Sequence, residues 1–200
     1  METTERHRER ACIGMTSTRR QAERDFIWKL IMGGQGGVGK TTILYRFVHN
    51  EFIEDMNLTI GVDFHKKVLE RQGYKIELVL WDLGGQEQFK RIHGKYMRGA
   101  SGGFVCFDLN RRSTLEDSRD WIGMFREQVP GMPILLVGTK YDMIENDRTE
   151  FDAVVEDANV VVKEFGLLGM TVTSAKTNFN VDETIHYMVD SILYAAPKAP

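Results

Sequence analysis

Cysteine is nearly absent from this chain of 200 residues: Cys12 and Cys106 are the only two, in unrelated contexts and at no metal-ligand spacing. A reducing compartment is therefore the default expectation, and Cys106, inside an apolar run, reads as core. Long hydrophobic runs are missing too. Nothing approaches the ~20 apolar residues that a membrane span needs, and the charged N-terminus has no secretory pattern, so an intracellular, soluble, cytoplasmic chain is expected. Charge of one sign is also lacking. The 26 basic and 29 acidic side chains leave a net charge of -3, which gives no reason to expect a nucleic acid partner. There is no internal repeat and no low-complexity segment, and His49, His65, His93 and His186 show no ligand spacing with one another.

What is present is an ordinary globular composition, 42% hydrophobic and 28% charged, in a length that suits one domain with a substantial core. Residues 1–25 carry six Arg against five acids. That balance predicts a flexible, solvated or loosely helical extension rather than a polybasic membrane tail, and Met15 is an alternative start. From Phe26 on, apolar strands alternate with amphipathic helices, which predicts an α/β domain with a largely parallel sheet over 26–196, followed by a short tail at 197–200. A helix is expected over about 43–50. The runs from Val62 to Arg71 and Lys75 to Leu83 flank a Gln72-Gly73 turn short enough to force an antiparallel pair. Gly102 to Phe107 and Pro133 to Gly138 are continuous and apolar, as interior parallel strands are. Helical stripes follow at Trp121, Ile122, Phe125 and Val129, at Phe151 through Phe165, and at Val181, Ile185, Met188, Val189 and Ile192, with a last strand near 168–173.

The densest chemical signal is Gly34-Gln35-Gly36-Gly37-Val38-Gly39-Lys40-Thr41, a G-x-x-x-x-G-K-T pattern between a strand-like run and a helix-like one. Its glycines let the backbone curl so that N–H groups and a helix N-terminus converge on one phosphate. Lys40 would reach the outer phosphates, and the Thr41 hydroxyl, with Thr42 beside it, would face a magnesium ion. A phosphate loop alone fits kinases, ATPases and GTPases. The second element, Trp81-Asp82-Leu83-Gly84-Gly85-Gln86, puts a carboxylate at a strand end where it can hold magnesium through water. Gly85 can then offer its N–H to a terminal phosphate, and Gln86 can orient an attacking water. The third, Gly138-Thr139-Lys140-Tyr141-Asp142, ends a buried strand at the edge where open α/β sheets bind ligands. Asp142 can accept from the N1–H and exocyclic amine of guanine, a donor pair that adenine lacks. The fourth, Thr173-Ser174-Ala175-Lys176, again follows a strand.

Order and spacing of the four resemble the Ras superfamily of small GTPases, across about residues 26–194. The resemblance implies a P-loop NTPase G domain: a six-stranded, mostly parallel sheet with one antiparallel edge strand and helices on both faces. Thr59, 18 residues after Thr41, matches the switch-I threonine, and Phe52 falls where the family packs an aromatic on the guanine edge. The implied catalytic set is Gln86, Lys40, Thr59 and Gly85. The implied metal ligands are Thr41, Thr59 and Asp82, with Gly34 to Thr42, Phe52, Thr139, Lys140, Asp142, Ser174, Ala175 and Lys176 on the nucleotide. Ile60 to Phe64, Gln86-Glu87-Gln88-Phe89 and Tyr96 to Ala100 look most like the Rab branch. Leu83-Gly84 is instead like the Arf branch, since Rab proteins usually have Thr-Ala there. Thr139 replaces the Asn of the family's Asn-Lys-x-Asp motif, which puts at risk a hydrogen bond that buttresses base and phosphate loop. That form, with Phe107-Asp108-Leu109 and Ser113-Thr114-Leu115, also resembles the septum-initiation GTPases. The chain ends Ala195-Ala196-Pro197-Lys198-Ala199-Pro200 without the lipidated cysteines of Rab proteins, and Glu2 stands where myristoylation needs glycine, so no direct lipid anchor is expected.

The expected protein binds GTP or GDP with Mg2+, hydrolyses GTP slowly and acts as a switch. Exchange factor, activating protein and effectors are expected at residues 52–61 and 84–98. Two rivals stand beside this reading. One is a GTP-loaded scaffold without turnover. The other is a partitioning-type P-loop ATPase, whose deviant loop Gly36 to Thr42 also resembles, but which carries a lysine where this chain has Gln35.

Overall fold

The computed structural model describes residues 25–86 and 90–195. The expected extension over 1–25, save Asp25, lies outside the described residues, as do Cys12, the motif residues Glu87, Gln88 and Phe89, and the tail at 197–200. Six strands form one sheet: β1 (Phe26–Gly33), β2 (Val62–Arg71), β3 (Tyr74–Leu83), β4 (Gly102–Asp108), β5 (Ile134–Thr139) and β6 (Gly169–Val172). Their order is β2-β3-β1-β4-β5-β6. Only β2 is antiparallel to its neighbour, joined to β3 through Gln72 and Gly73, both at positive φ, with Arg71 opposite Tyr74. β1 pairs in parallel with β3 on one side and β4 on the other. The chain thus leaves β1 toward one edge and returns toward the other, so the loops at the strand C-termini part there and open a crevice, the position where such sheets bind ligands.

Helices α1 (Lys40–His49), α2 (Lys90–Met97), α3 (Ser113–Gln128), α4 (Arg148–Phe165) and α5 (Val181–Ala195) cover the sheet. Strand alternation assigns the two faces. Leu30, Met32, Phe104 and Cys106 pack with Ile43, Leu44 and Phe47 of α1 and Ile185 and Met188 of α5. Ile31, Val105 and Phe107 turn the other way, onto Trp121, Ile122 and Phe125 of α3 and Val154 and Ala158 of α4. Each large apolar side chain buried in these layers contributes about 1.5–3 kcal/mol, enough to fix strand register, since a slip by one residue would exchange the faces.

Three elements depart from the sequence expectation. α1 starts at Lys40 rather than near 43, because Lys40, Thr41 and Thr42 form its first turn behind Gly39; motif residues in that turn carry no apolar stripe to announce it. The eight-residue α2 and a 3-10 turn at Tyr141–Met143 were not anticipated, being too short for a periodic signal.

Candidate functional site

Each of the four motif loops leaves the C-terminal end of a parallel strand: after β1, β3, β5 and β6. A fifth loop, Leu109 to Arg112 after β4, joins them on the same rim. Two adjoining hollows lie between these loops. One is lined by Gly36, Lys40, Thr41, Thr59, Gly85 and Gln86, the other by Phe52, Thr139, Asp142, Ala175 and Lys176. They share Gly39, Thr42, Glu54 and Lys140, and so form one continuous cleft.

At the phosphate end, the Lys40 ammonium is buried in the curl of its own loop, donating to the Gly34 carbonyl at 2.8 Å and the Gln35 carbonyl at 2.9 Å. Burial lowers its affinity for the proton, while Asp82 acts in the opposite sense. Gly85 packs directly on the loop, where an added Cβ would collide with the backbone of Gln35, Gly36 and Gly34. Beside it three oxygens converge. Thr41 Oγ1 donates to Asp82 Oδ2 at 2.5 Å, Thr59 Oγ1 donates to the same oxygen at 2.8 Å, and the two hydroxyls lie 2.7 Å apart. Asp82 is 0% exposed, and its Oδ1 has no hydrogen-bond partner among the described residues.

That cluster fits a small hard cation. An octahedral Mg2+ with oxygens at ~2.1 Å has ligand oxygens about 3 Å apart along each edge, close to the 2.7 Å between the Thr41 and Thr59 hydroxyls, and the Asp82 carboxylate lies beside both at 2.5 and 2.8 Å. The donor set is oxygen only, as Mg2+ prefers. No group of three or more His, Cys, Asp or Glu that could hold a metal occurs among the described residues, which leaves this mixed hydroxyl and carboxylate set.

At the other end, Ser174 Oγ donates to Asp142 Oδ1 at 2.5 Å and itself accepts from the Thr177 N–H at 3.2 Å, so one carboxylate edge is fixed while the residue lines the hollow. Thr139, which replaces the family's Asn, keeps a link to the phosphate loop. Its Oγ1 lies 2.5 Å from the Val38 carbonyl and 2.9 Å from that of Phe107. The bond that the sequence put at risk is thus made by a hydroxyl. Lys140 Nζ donates to Asp108 Oδ2 at 2.8 Å. Burial of Asp108 works against its ionised form, but hydrogen bonds from Lys140, the Asn110 N–H and Arg111 outweigh it and hold the carboxyl below its ordinary range.

A model of the Ras family matches residues 29–194 of the sequence. The chain belongs to the Ras family. Ras-related protein Rab-19 of Bos taurus is 35% identical over 170 residues, covering 84% of this chain and 76% of that protein. Its Homo sapiens counterpart is 34% identical over the same length, again 84% and 76%, and Ras-related protein Rab-12 of Mus musculus is 36% identical over 187 residues, 92% of this chain and 75% of that one. This small GTPase is therefore a Rab-like, GTP-hydrolysing molecular switch of a family that binds GTP and GDP. No helix among the described residues is long and apolar enough to cross a membrane.

The Arf-like Gly84 has a local cause in this GTPase. Its N–H donates to the Gly61 carbonyl at 2.8 Å, and a Cβ there would stand 2.7 Å from the Thr59 carbonyl oxygen and 2.8 Å from that of Gly61. Switch I therefore lies closer to the second motif than an alanine would allow. Sequence reasoning missed three residues of the rim. Arg46 of α1 donates from Nε to the Ala175 carbonyl at 2.7 Å and from Nη2 to that of Lys176 at 3.2 Å, holding the fourth loop. An arginine on the polar side of a helix carries no signal that it is anything but solvated. Asp108 did have one, because a carboxylate ending the apolar run of β4 repeats the pattern of Asp82 ending β3, whereas Arg111 had none.

Proposed function

We propose that the cleft binds GTP with its phosphates along Gly34–Thr42 and its guanine between Phe52, Thr139, Lys140, Asp142 and the Ser174-Ala175-Lys176 loop, in a G domain spanning about 26–196. The observation that carries this reading is the convergence of Thr41, Thr59 and Asp82 beside Lys40 and Gly85. Thr41 and Thr59 would ligate Mg2+ directly, with Asp82 holding it through water. When bound, the ion neutralises charge that builds on the phosphate oxygens. Lys40 would exchange its two loop carbonyls for the outer phosphates. Asp142 accepts the two guanine donors, and Gln86, at the mouth of the hollow, orients the attacking water.

The backbone N–H groups of Thr59 and Gly85 would donate to the γ-phosphate. At about 1.5–3 kcal/mol for each charge-assisted bond, the two supply roughly 3–6 kcal/mol. Moving a two-state equilibrium from mostly open to mostly closed takes about 5.5 kcal/mol, so these contacts are of the right size to run the switch. Turnover is slow unaided: residues 50–59 contain no arginine to serve in cis, and a finger from a partner is worth about 10³ to 10⁵ in rate. Nothing fills the space where a Cβ on Gly36 would stand, which leaves room for one. Exchange factor, activating protein and effectors dock at residues 52–61 and 84–98, where Leu58 and Ile60 present exposed apolar side chains. The protein would work in the cytoplasm.

Phosphate release by the purified protein, GTP against ATP, with magnesium or with chelator, tests this reading. Release from GTP alone, and only with magnesium, is expected. Equal release from ATP would favour the partitioning type, and tight GTP binding without release would favour the scaffold.

A further inference from the structure

Asp108 ends β4 with its carboxylate buried, 2% exposed, yet it faces the cleft-side loops rather than the core. Three donors meet it: Lys140 Nζ at 2.8 Å and Arg111 Nε at 3.0 Å on Oδ2, and the Asn110 N–H at 3.0 Å on Oδ1. Arg111 does not stop there. Its Nη2 donates to the Gly36 carbonyl at 3.3 Å and stands 3.8 Å from where a Cβ on Gly37 would be. Nε and Nη2 lie on one edge of the planar guanidinium, so a single rigid group spans the carboxylate and the loop carbonyl. The neighbouring Arg112 turns away, to Asp157 at 2.6 Å and Glu150 at 3.7 Å on α4.

We propose that Arg111 is a positioning residue, which braces the Gly36-Gly37 bend of the phosphate loop against Asp108 and thereby ties that bend to Lys140 in the base-binding motif. It acts on the nucleotide only through the loop, and its guanidinium is not part of the cavity wall. The bracing matters because a glycine-rich bend has many conformations to lose, and only one of them aims its N–H groups at a phosphate. An outside cation on the Gly36 carbonyl restricts the bend before nucleotide arrives. A lysine cannot replace it, because one ammonium on a flexible stem cannot hold both acceptors in a fixed geometry. This inference rests on the proposal that residues 34–42 hold the phosphates.

The test measures release of a fluorescent GDP analogue from full-length protein, and GMP affinity by competition. Arg111→Ala is expected to speed GDP release about tenfold, the low end for a hydrogen bond from a charged donor, with GMP affinity within twofold of wild type because GMP reaches less of the bend. A merely structural loss would weaken both ligands together, and that result overturns the proposal. Arg111→Lys should recover less than half of the effect; full recovery overturns it. Adding Asp108→Asn to Arg111→Ala should speed release no further than Asp108→Asn alone, and multiplying effects overturn the shared brace. Arg112→Ala, which removes only surface ion pairs, should match wild type, and an equal acceleration by it also counts against the proposal. Wild-type protein that fails to hold GDP would refute the phosphate-loop assignment itself, whereas wild type that holds it beside an unchanged Arg111→Ala refutes the brace alone.

Discussion

Thr139→Val isolates the one place where the base-binding motif departs from its family. Valine keeps the branched shape and removes the hydroxyl, in a side chain that is only 1% exposed. Oγ1 lies within reach of two carbonyls, those of Val38 at 2.5 Å and Phe107 at 2.9 Å, but a hydroxyl has one proton and donates to one acceptor at a time. The substitution therefore deletes one hydrogen bond, the shorter one, and strands a buried carbonyl of the phosphate loop. Stranding such a group costs about 1–3 kcal/mol. Because Val38 is next to Gly39 and Lys40, the loss falls on the loop proposed to grip the phosphates. Expressed wholly in the bound state, about 1–3 kcal/mol is roughly a 5- to 150-fold weaker GDP complex. Release of a fluorescent GDP analogue reads it directly, with thermal unfolding of the GDP-saturated protein as a second measure. Thr139→Ser keeps the hydroxyl and should stay within a few-fold of wild type. Valine that releases GDP at the wild-type rate, or serine as damaging as valine, would refute the reasoning, since either result detaches the effect from the hydroxyl.

Gln86→Leu should abolish stimulated hydrolysis and spare GTP binding, as measured by phosphate release beside nucleotide retention; hydrolysis at the wild-type rate would remove Gln86 from the mechanism. Lys40→Ala should lose tight binding of GTP in magnesium, because it removes the ammonium held in the curl formed by Gly34 and Gln35; unchanged affinity would contradict the assignment. Arg46→Met, which keeps an unbranched stem of similar length, should speed GDP release by about tenfold through loss of the bonds to Ala175 and Lys176, read by the same release assay. Burial pushes the Cys106 thiol up to about 12, so at pH 8 about one in ten thousand is thiolate. In a Cys12→Ser background, alkylation of Cys106 should wait for global unfolding, and rapid labelling of the native protein would show that this face of the sheet opens.

The sheet was legible because its strands are strongly apolar and its turn chemistry is local. Gln72-Gly73 announced the antiparallel pair, and the unbroken runs before Asp108 and Thr139 announced parallel interior strands. The cleft was legible for a different reason. Glycines and a lysine at fixed offsets state a requirement on backbone conformation, and each further motif sits just past an apolar run, where topology forces it onto the common rim. What stayed hidden was held by residues whose type says nothing about their partners. Arg46 and Arg111 read as solvated charges, and only the fold brings the first to the Ala175 carbonyl and the second to that of Gly36. Thr139 read as a loss, because a sequence shows which residue is missing and not that a shorter side chain reaches the same carbonyl.

The same geometry explains why switch I can move at all. Residues 52–61 form neither strand nor helix, and Leu58 and Ile60 are 56% and 80% exposed, so little apolar burial holds the segment down. Its position against the second motif rests on Thr59 Oγ1 donating to Asp82 and on the Gly84 N–H donating to the Gly61 carbonyl. Two such bonds at about 0.5–1.5 kcal/mol each amount to roughly 1–3 kcal/mol. Ordering a flexible segment of this length costs more than that, at about 1–2 kcal/mol for each backbone residue fixed. These bonds alone do not lock the segment, and in the proposed mechanism two γ-phosphate contacts would add about 3–6 kcal/mol.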